Sequence, residues 1–213
     1  MVSANALGDG QVAQSDGFLS RMQGVLRVKH QEGGEDSDYY LVQQCVKGNH
    51  SSFRVLYRRH QQRIRSLLYQ LCGASTLDDL VQEVFLRAWK GMPKLKQTAK
   101  FSTWLYRIAW NVASDQRQTF AQGRSRLQTI ANAVPTQQDA PDVMHLHYQD
   151  IVQRGLVHLS LDHRSVLILH DLEEMPQKEV ADILEIPVGT VKSRLFHARA
   201  AMRQFLQQQG VQL

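Results

Sequence analysis

Apolar residues recur every three or four positions along most of this chain, and no stretch of any length alternates as a strand would. Tyr39 to Lys47 fits one short helix, stopped near Gly48-Asn49. Phe53, Leu56, Tyr57, His60, Ile64, Leu67, Leu68 and Leu71 then form one stripe on a long helix, which Cys72-Gly73 ends. Arg54, Arg58, Arg59, Arg63 and Arg65 lie mostly off that stripe; His60 lies in it and reads as a packed histidine. The next helix buries Leu77, Leu80, Val81, Val84, Phe85 and Ala88. Thr76 is its expected cap, Asp79 the acidic partner in a capping box, and Gly91 and Pro93 its end. Asp78, Asp79, Gln82, Glu83 and Arg87 are left on its outer faces.

A loop, PKLKQTAKF, follows and carries Lys94, Lys96 and Lys100. Ser102 is the expected cap of a helix running to about Gln118, crowded with Trp104, Tyr106 and Trp110 and preceded by Phe101. Leu105, Ile108 and Val112 supply its core edge. Residues 121–142 lose the pattern, are rich in Gln, Ala and Thr with Pro135 and Pro141, and read as a flexible linker. Helical spacing returns from Val143. Residues 1–37 are rich in Gly, Gln, Ser and Asp and read as a mostly disordered extension. Within it FLSRMQGVLRV has the makings of a short helix, and Met22 is an alternative start. The expected fold is therefore all-α: an extension at 1–37, a helical domain at 38–120, a linker at 121–142 and a second small helical domain at 143–213.

Charge divides the same way. The net charge of +5 over 213 residues splits into −2 for residues 1–37, +8 for 38–120 and −1 for 121–213. The central block is thus a candidate polyanion-binding domain. Asp162 to Pro187 holds seven acids and two bases, whereas Val188 to Arg203 holds four bases and no acid. No apolar run approaches the roughly 18 residues that span a bilayer, so no membrane insertion is expected. The start lacks a positive region followed by an apolar core, so no signal peptide is expected. Cys45 and Cys72 form no disulfide framework and read as small core residues in a reducing, cytoplasmic compartment.

The acidic-then-basic boundary coincides with a motif. Pro176 to Leu184 is a short amphipathic helix, Glu185-Ile186-Pro187 a tight turn, and Val188 to Arg203 a second helix with Val191, Leu195, Ala198 and Met202 buried. Two helices joined by so short a turn make a helix-turn-helix, whose second helix fits a major groove about 12 Å wide. Lys192, Ser193, Phe196, His197 and Arg199 fall away from its buried stripe and mix phosphate-binding cations with groups able to meet base edges.

Three classes of function are weighed on these residues. A duplex-binding helix-turn-helix regulator accounts for the C-terminal half but leaves the DDLVQEVFLRAW helix and the aromatic loop unexplained. A nucleic-acid enzyme needs clustered carboxylates for metal or an activated nucleophile. Asp78, Asp79 and Glu83 form the close acid cluster of the basic domain, and capping and docking explain it better. His145 and His147 lack ligand partners, and no Gly-rich phosphate loop or Cys/His metal set appears, so no metal, cofactor or catalytic centre is expected. The third class is a polymerase subunit.

That third reading rests on two long segments. DDLVQEVFLRAWKGMPKLKQTAKFSTWLYRIAWN resembles the second conserved region of bacterial RNA polymerase sigma factors of the extracytoplasmic-function (ECF) group, and LSLDHRSVLILHDLEEMPQKEVADILEIPVGTVKSRLFHARAAMR resembles the fourth. They stand in the family's order with only a tether between. The resemblance implies a protein that binds core polymerase, selects promoters through −10 and −35 elements and helps open them. It implies that Asp79, Gln82 and Glu83 dock on the clamp helices of the largest subunit. Lys94, Lys96, Lys100, Phe101, Trp104 and Asn111 then engage the −10 strand, where cations take phosphates and a π-face takes a base. Lys192, Ser193, Phe196 and His197 meet the −35 bases, Arg194 and Arg199 lie nearer phosphates, and the domain's back meets the flap. An anti-sigma partner, in some members at the inner membrane face, is implied too. Gln97-Thr98 stand where the family often has Gly and an acid, His197 stands where arginine is common, and the extension exceeds the usual start.

Overall fold

The computed structural model describes residues 35–95, 100–124 and 143–211. Among them every regular element is helical. In chain order these are α1 (Glu35–Val46), α2 (His50–Cys72), α3 (Leu77–Gly91), α4 (Phe101–Arg124), α5 (Val143–His158), α6 (Leu161–Leu167), α7 (Gln177–Leu184) and α8 (Val188–Gln208). A 3-10 turn, Met92–Lys94, follows α3, and a π-helical turn, Ile168–Leu172, follows α6. The readings made for residues 1–34, including FLSRMQGVLRV and Met22, for Lys96, Gln97 and Thr98, and for residues 125–142 of the linker lie outside the described residues. None of the described helices is long and apolar enough to cross a membrane.

The chain divides into two compact units. One gathers the described residues of 28–138 together with 177–188; the other gathers those of 139–176 and 189–213. In the first, α2, α3 and α4 pack on one another, α1 rests on α2, and α7 packs on α4. The predicted stripe of α3 is buried in full, from Leu77 to Ala88. It meets Leu56, Ile64, Leu67, Leu68 and Leu71 of α2 and Leu105, Ala109 and Ala113 of α4, all buried. Burial of each such leucine contributes about 1.5–3 kcal/mol, so this three-helix seam dominates the unit's stability.

The helix ends show which local signals act. Gly48 turns the chain after α1 with φ +93°, and Asn49 caps α2, its Oδ1 accepting from the amides of Ser51 at 3.0 Å and Ser52 at 3.3 Å. Such a cap contributes about 1 kcal/mol. Gly73, at φ +82°, ends α2 as expected. Two expected caps differ. Thr76 makes no side-chain cap bond; its hydroxyl accepts from the Gln116 amide at 3.4 Å. Helix α4 begins one residue before Ser102, with the Trp104 amide donating to the Lys100 carbonyl at 3.1 Å. It also runs to Arg124, past the expected end near Gln118.

Helix α1 begins before its first apolar residue because its anchor is polar. Asp38 is buried, accepts from Arg59, and lies 2.6 Å from Nε2 of His60. His60 is packed as expected, with the Phe101 ring 5.3 Å away. Cys45 is buried nearby, and burial pushes its thiol above the ordinary range; Cys72 points at the Ala113 carbonyl.

In the second unit the predicted stripe of α8, Val191, Leu195, Ala198 and Met202, is buried. Gly155 of α5 lets α8 come close: a Cβ there would stand 2.6 Å from the sulfur of Met202. Arg164 is buried and donates to the Val157 and Leu159 carbonyls at 2.7 and 3.2 Å, satisfying acceptors that the end of α5 leaves unpaired. Ser160 caps α6 by accepting from the His163 amide. In the π-helical turn the Glu173 amide reaches back to the Ile168 carbonyl at 2.9 Å. Asp171 sits on that turn, 3% exposed, and takes a two-pronged bond from Arg199 at 2.9 and 2.6 Å.

Candidate nucleic-acid interface

Three exposed sets of side chains emerge from this scaffold. The first is on α3. Because the apolar stripe faces inward, Asp79 and Gln82 face solvent and Glu83 is half-exposed. Glu83 is tied to Arg87 at 2.7 Å, and Arg87 also reaches Asp115 at 2.8 Å. These bonds, Asp115 first and Glu83 next, hold the guanidinium still more firmly in its charged form. Asp78 pairs with Arg65. Beside the acids lies an open apolar groove of about 580 Å³ between α2 and α3. Phe53, Tyr57 and Trp89 line it half-buried, and Leu86 stands 45% exposed at its edge. Phe53 and Tyr57 belong to the stripe expected to be core. They are incompletely covered, packing edge-on or tilted against Trp89 and Phe85 at 4.9 and 4.6 Å between centroids. Leu86 was not singled out from the sequence, since it falls outside the buried stripe.

The second set runs from the 3-10 turn along α4. Lys94 is exposed on the turn. Lys96 lies outside the described residues. Lys100, Trp104 and Asn111 share one face of α4, at steps of four and seven residues, the spacing of one and two turns. Lys100 is exposed and meets Glu179 of α7 at 3.2 Å. Asn111 is exposed. Trp104 is half-buried: its ring lies over Gly91, where a Cβ would come within 3.0 Å of the indole. Phe101 is only 5% exposed and sits between His60 and Trp104, the latter 5.9 Å away. Of these six residues, then, Lys100, Trp104 and Asn111 are brought together, Lys94 stands apart on its turn, and Phe101 lies beneath. Arg107 joins the same face and was missed by the sequence reading. It pairs with Glu185 at 3.5 Å and donates to the Asp182 carbonyl. Its place three residues after Trp104 was the available signal.

The third set is on α8. Lys192, Ser193, Phe196 and His197 are exposed together, one turn apart in two adjacent rows. Phe196 is 71% exposed, with its ring at right angles to that of His197 and 5.4 Å away. The Ser193 hydroxyl donates to the Thr190 carbonyl at 3.1 Å. Arg194 and Arg199 are half-buried and leave that patch: Arg194 is paired with Asp162 at 2.8 Å and Arg199 with Asp171. These two carboxylate partners had no sequence signal, because they lie 32 and 28 residues away.

The chemistry of the three sets differs. An acidic edge beside an apolar groove suits a protein surface. An aromatic face flanked by cations suits an unstacked base, and a basic helix with one protruding phenyl ring suits a duplex groove.

Residues 56–121 match the family model of Sigma-70 region 2, and residues 149–202 that of Sigma-70, region 4. Over 178 residues the chain is 32% identical to the ECF RNA polymerase sigma-E factor of Escherichia coli K12, covering 78% of this chain and 92% of the relative. The corresponding factor of Haemophilus influenzae is 29% identical over 183 residues, covering 80% and 96%. In solved structures, the sigma factor RpoE of Bartonella quintana, in complex with the anti-sigma factor NepR, is similar with a TM-score of 0.59. It is 23% identical over 73% of this chain and 96% of that one, a likeness of fold. With both regions in this order and a relative matched over almost its whole length, the chain belongs to the ECF family of RNA polymerase sigma factors.

Proposed function

We propose that this sigma factor divides its work between a domain at 38–120, which docks on core polymerase and traps the −10 strand, and a domain at 143–213, which reads the −35 duplex. The observation that carries this reading is the segregation of three exposed sets, one protein-like and two nucleic-acid-like, on the segments matching regions 2 and 4. Asp79, Gln82 and Glu83 would meet the clamp helices of the largest subunit, with Leu86 adding apolar contact. Lys94, Lys96 and Lys100 would hold −10 phosphates, Trp104 would stack on an unpaired base, and Asn111 would contact the strand. Phe101, buried against His60, supports Trp104 from beneath. Lys192, Ser193, Phe196 and His197 would face the −35 bases, with Arg194 and Arg199 on the flanking phosphates and the back of the domain on the flap. Tethering two weak modules on one enzyme multiplies their affinities and makes their spacing part of the code. The chain acts in the cytoplasm, and an anti-sigma factor covering its polymerase-binding surfaces is its regulator. A neighbour solved with such a partner supports this.

Transcription with sigma-free core polymerase on a fragmented genome tests the whole reading. Discrete 5′ ends sharing two boxes at fixed spacing are expected. Specific duplex binding in the absence of polymerase, with no starts, would overturn it in favour of a free-standing regulator.

Within the −35 module, Lys192→Ala and Phe196→Ala should both weaken duplex binding, by different routes. Loss of a lysine's charge in the groove lowers affinity on most sequences alike, whereas loss of an apolar base contact changes preference. Selection of bound sequences from a random pool should therefore shift chiefly for Phe196→Ala and much less for Lys192→Ala. Identical loss on specific and random DNA for both would reduce α8 to a phosphate clamp.

A further inference from the structure

The groove between α2 and α3 leaves Phe53, Tyr57, Leu86 and Trp89 incompletely covered, within a unit whose other large apolar side chains are mostly buried. Residues that leave this much ring surface beside an acidic edge are suited to an amphipathic basic helix laid along them. The stripe of the basic helix α8 is already buried, and the chain contains a second candidate of that description. Phe18, Leu19, Met22, Val25 and Leu26 recur at the spacing of a single helical stripe. The same stretch, Phe18 to Gln31, holds Arg21, Arg27 and Lys29 and no acid. Asp78 lines the groove, paired with Arg65 across it, and Asp79 is exposed next to it at the start of α3. The apolar stripe therefore matches the exposed rings, and its cations match Asp78 and Asp79 at the α3 end of the groove.

Reach matches as well. Asp38 of α1 contacts Arg59 and His60, so it lies within about one turn of Tyr57 along α2, and Glu35 one turn further on. From there to the groove the chain must pass around one helix, about 10–12 Å across. Residues 29–34 give about 20 Å of extended chain, and Gly33-Gly34 free the backbone to turn at the end of that span. The segment lies before both family-matched regions, and the E. coli relative is matched over 92% of its length by 78% of this chain.

We propose that residues 18–28 dock as an amphipathic helix in the groove between α2 and α3, covering the acidic face of α3 within the same chain. The extension is then an internal competitor for that face. Core polymerase binds only the fraction of molecules in which the segment has left, so its apparent affinity falls by that fraction. The competitor part of the proposal rests on the assignment of α3 to polymerase docking; the docking itself does not.

Two measurements on the full-length chain separate these. In a Cys72→Ser background, a short bis-maleimide is applied to Met22→Cys paired with Gln82→Cys at the groove, or with Tyr40→Cys on α1. Tyr40 is nearer to Met22 along the chain, so a loose tether favours the Tyr40 pair. Docking reverses the order, with the Gln82 pair joining within one chain at least tenfold faster, and Leu19→Asp with Leu26→Asp abolishing the difference. Equal rates, faster joining to Tyr40, or joining between two chains would overturn the docking. Next, core polymerase binding is compared for the full chain, the Leu19→Asp/Leu26→Asp chain and a chain starting at Lys29. Both altered chains should bind about tenfold more tightly. Unchanged affinity for core in all three would overturn the competitor role. Failure of all three to bind core would instead remove the polymerase assignment of α3 and leave the cross-linking result to stand or fall by itself.

Discussion

Arg199→Ala should destabilise the second unit by about 3 kcal/mol, more than any other change of a single exposed-face residue on α8. Arg199 places two nitrogens on the carboxylate of Asp171, whose side chain is 2% exposed while that of Arg199 is 29% exposed. Removing the cation leaves a buried carboxylate without its guanidinium, a change that costs about 3–5 kcal/mol in buried pairs. The lower end is expected because solvent reaches part of the arginine. For a unit of this size that loss lowers the melting temperature by roughly 10–25 °C. Thermal denaturation followed by circular dichroism on the full chain checks it. Arg199→Lys should recover part of the loss through one bond, since an ammonium cannot match the fork. Arg199→Met with Asp171→Leu should recover more, by removing the stranded charge together with its partner. A drop of under 1 kcal/mol in Arg199→Ala would mean that water solvates Asp171 and that the pair is a surface ornament. The consequence for function is direct: weaker −35 binding by Arg199→Ala cannot by itself be assigned to a phosphate, whereas Arg199→Lys, if stable, separates the two roles.

What was legible in the sequence follows from how local each cause is. The α3 stripe from Leu77 to Ala88 and the α8 stripe from Val191 to Met202 were both read correctly. A 3.6-residue repeat is written in consecutive positions and needs no partner to be recognised. Gly73 and Gly91 marked helix ends for the same reason. Of the two caps that differed, Ser102 missed by a single residue, and the Thr76 hydroxyl accepts from Gln116, 40 positions away. Partners such as Asp38 with His60 and Asp171 with Arg199 join residues 22 and 28 apart, with no periodic trace. The π-helical turn that carries Asp171 likewise breaks the spacing on which helix recognition depends. Phe53 and Tyr57 show the opposite limit. They obey the stripe, but periodicity says only which side chains share a face, and nothing among the described residues fully covers these two. The outward residues Asp79, Gln82, Lys192, Phe196 and Asn111 were legible as exposed simply because the stripes leave them out. The roles proposed for them came from family likeness.

Trp104→Ala should impair promoter opening by about 10- to 100-fold while leaving −35 duplex binding within about threefold. The indole is half-buried over Gly91, on the α4 face that also carries Lys100 and Asn111. Opening requires a base to leave the stack, which costs a few kcal/mol. A stacked aromatic returns about 1–3 kcal/mol of that, a factor of roughly 5 to 150 in the open fraction. In the proposed division of work, duplex recognition at −35 falls to α8, which shares no residue with this face, so the two effects separate. Permanganate reactivity of unpaired thymines at saturating holoenzyme reads the opening, and retention of a −35 duplex reads the binding. Trp104→Phe should keep a large part of the opening, because a smaller π-face still stacks. Gly91→Val gives an independent handle: its Cβ alone meets the indole at 3.0 Å, so the branched side chain must displace the ring without removing it. Opening should then fall although Trp104 is still present. Normal melting in Trp104→Ala would return the indole to the core beside Phe101 and leave the unpaired base to the cations and Asn111.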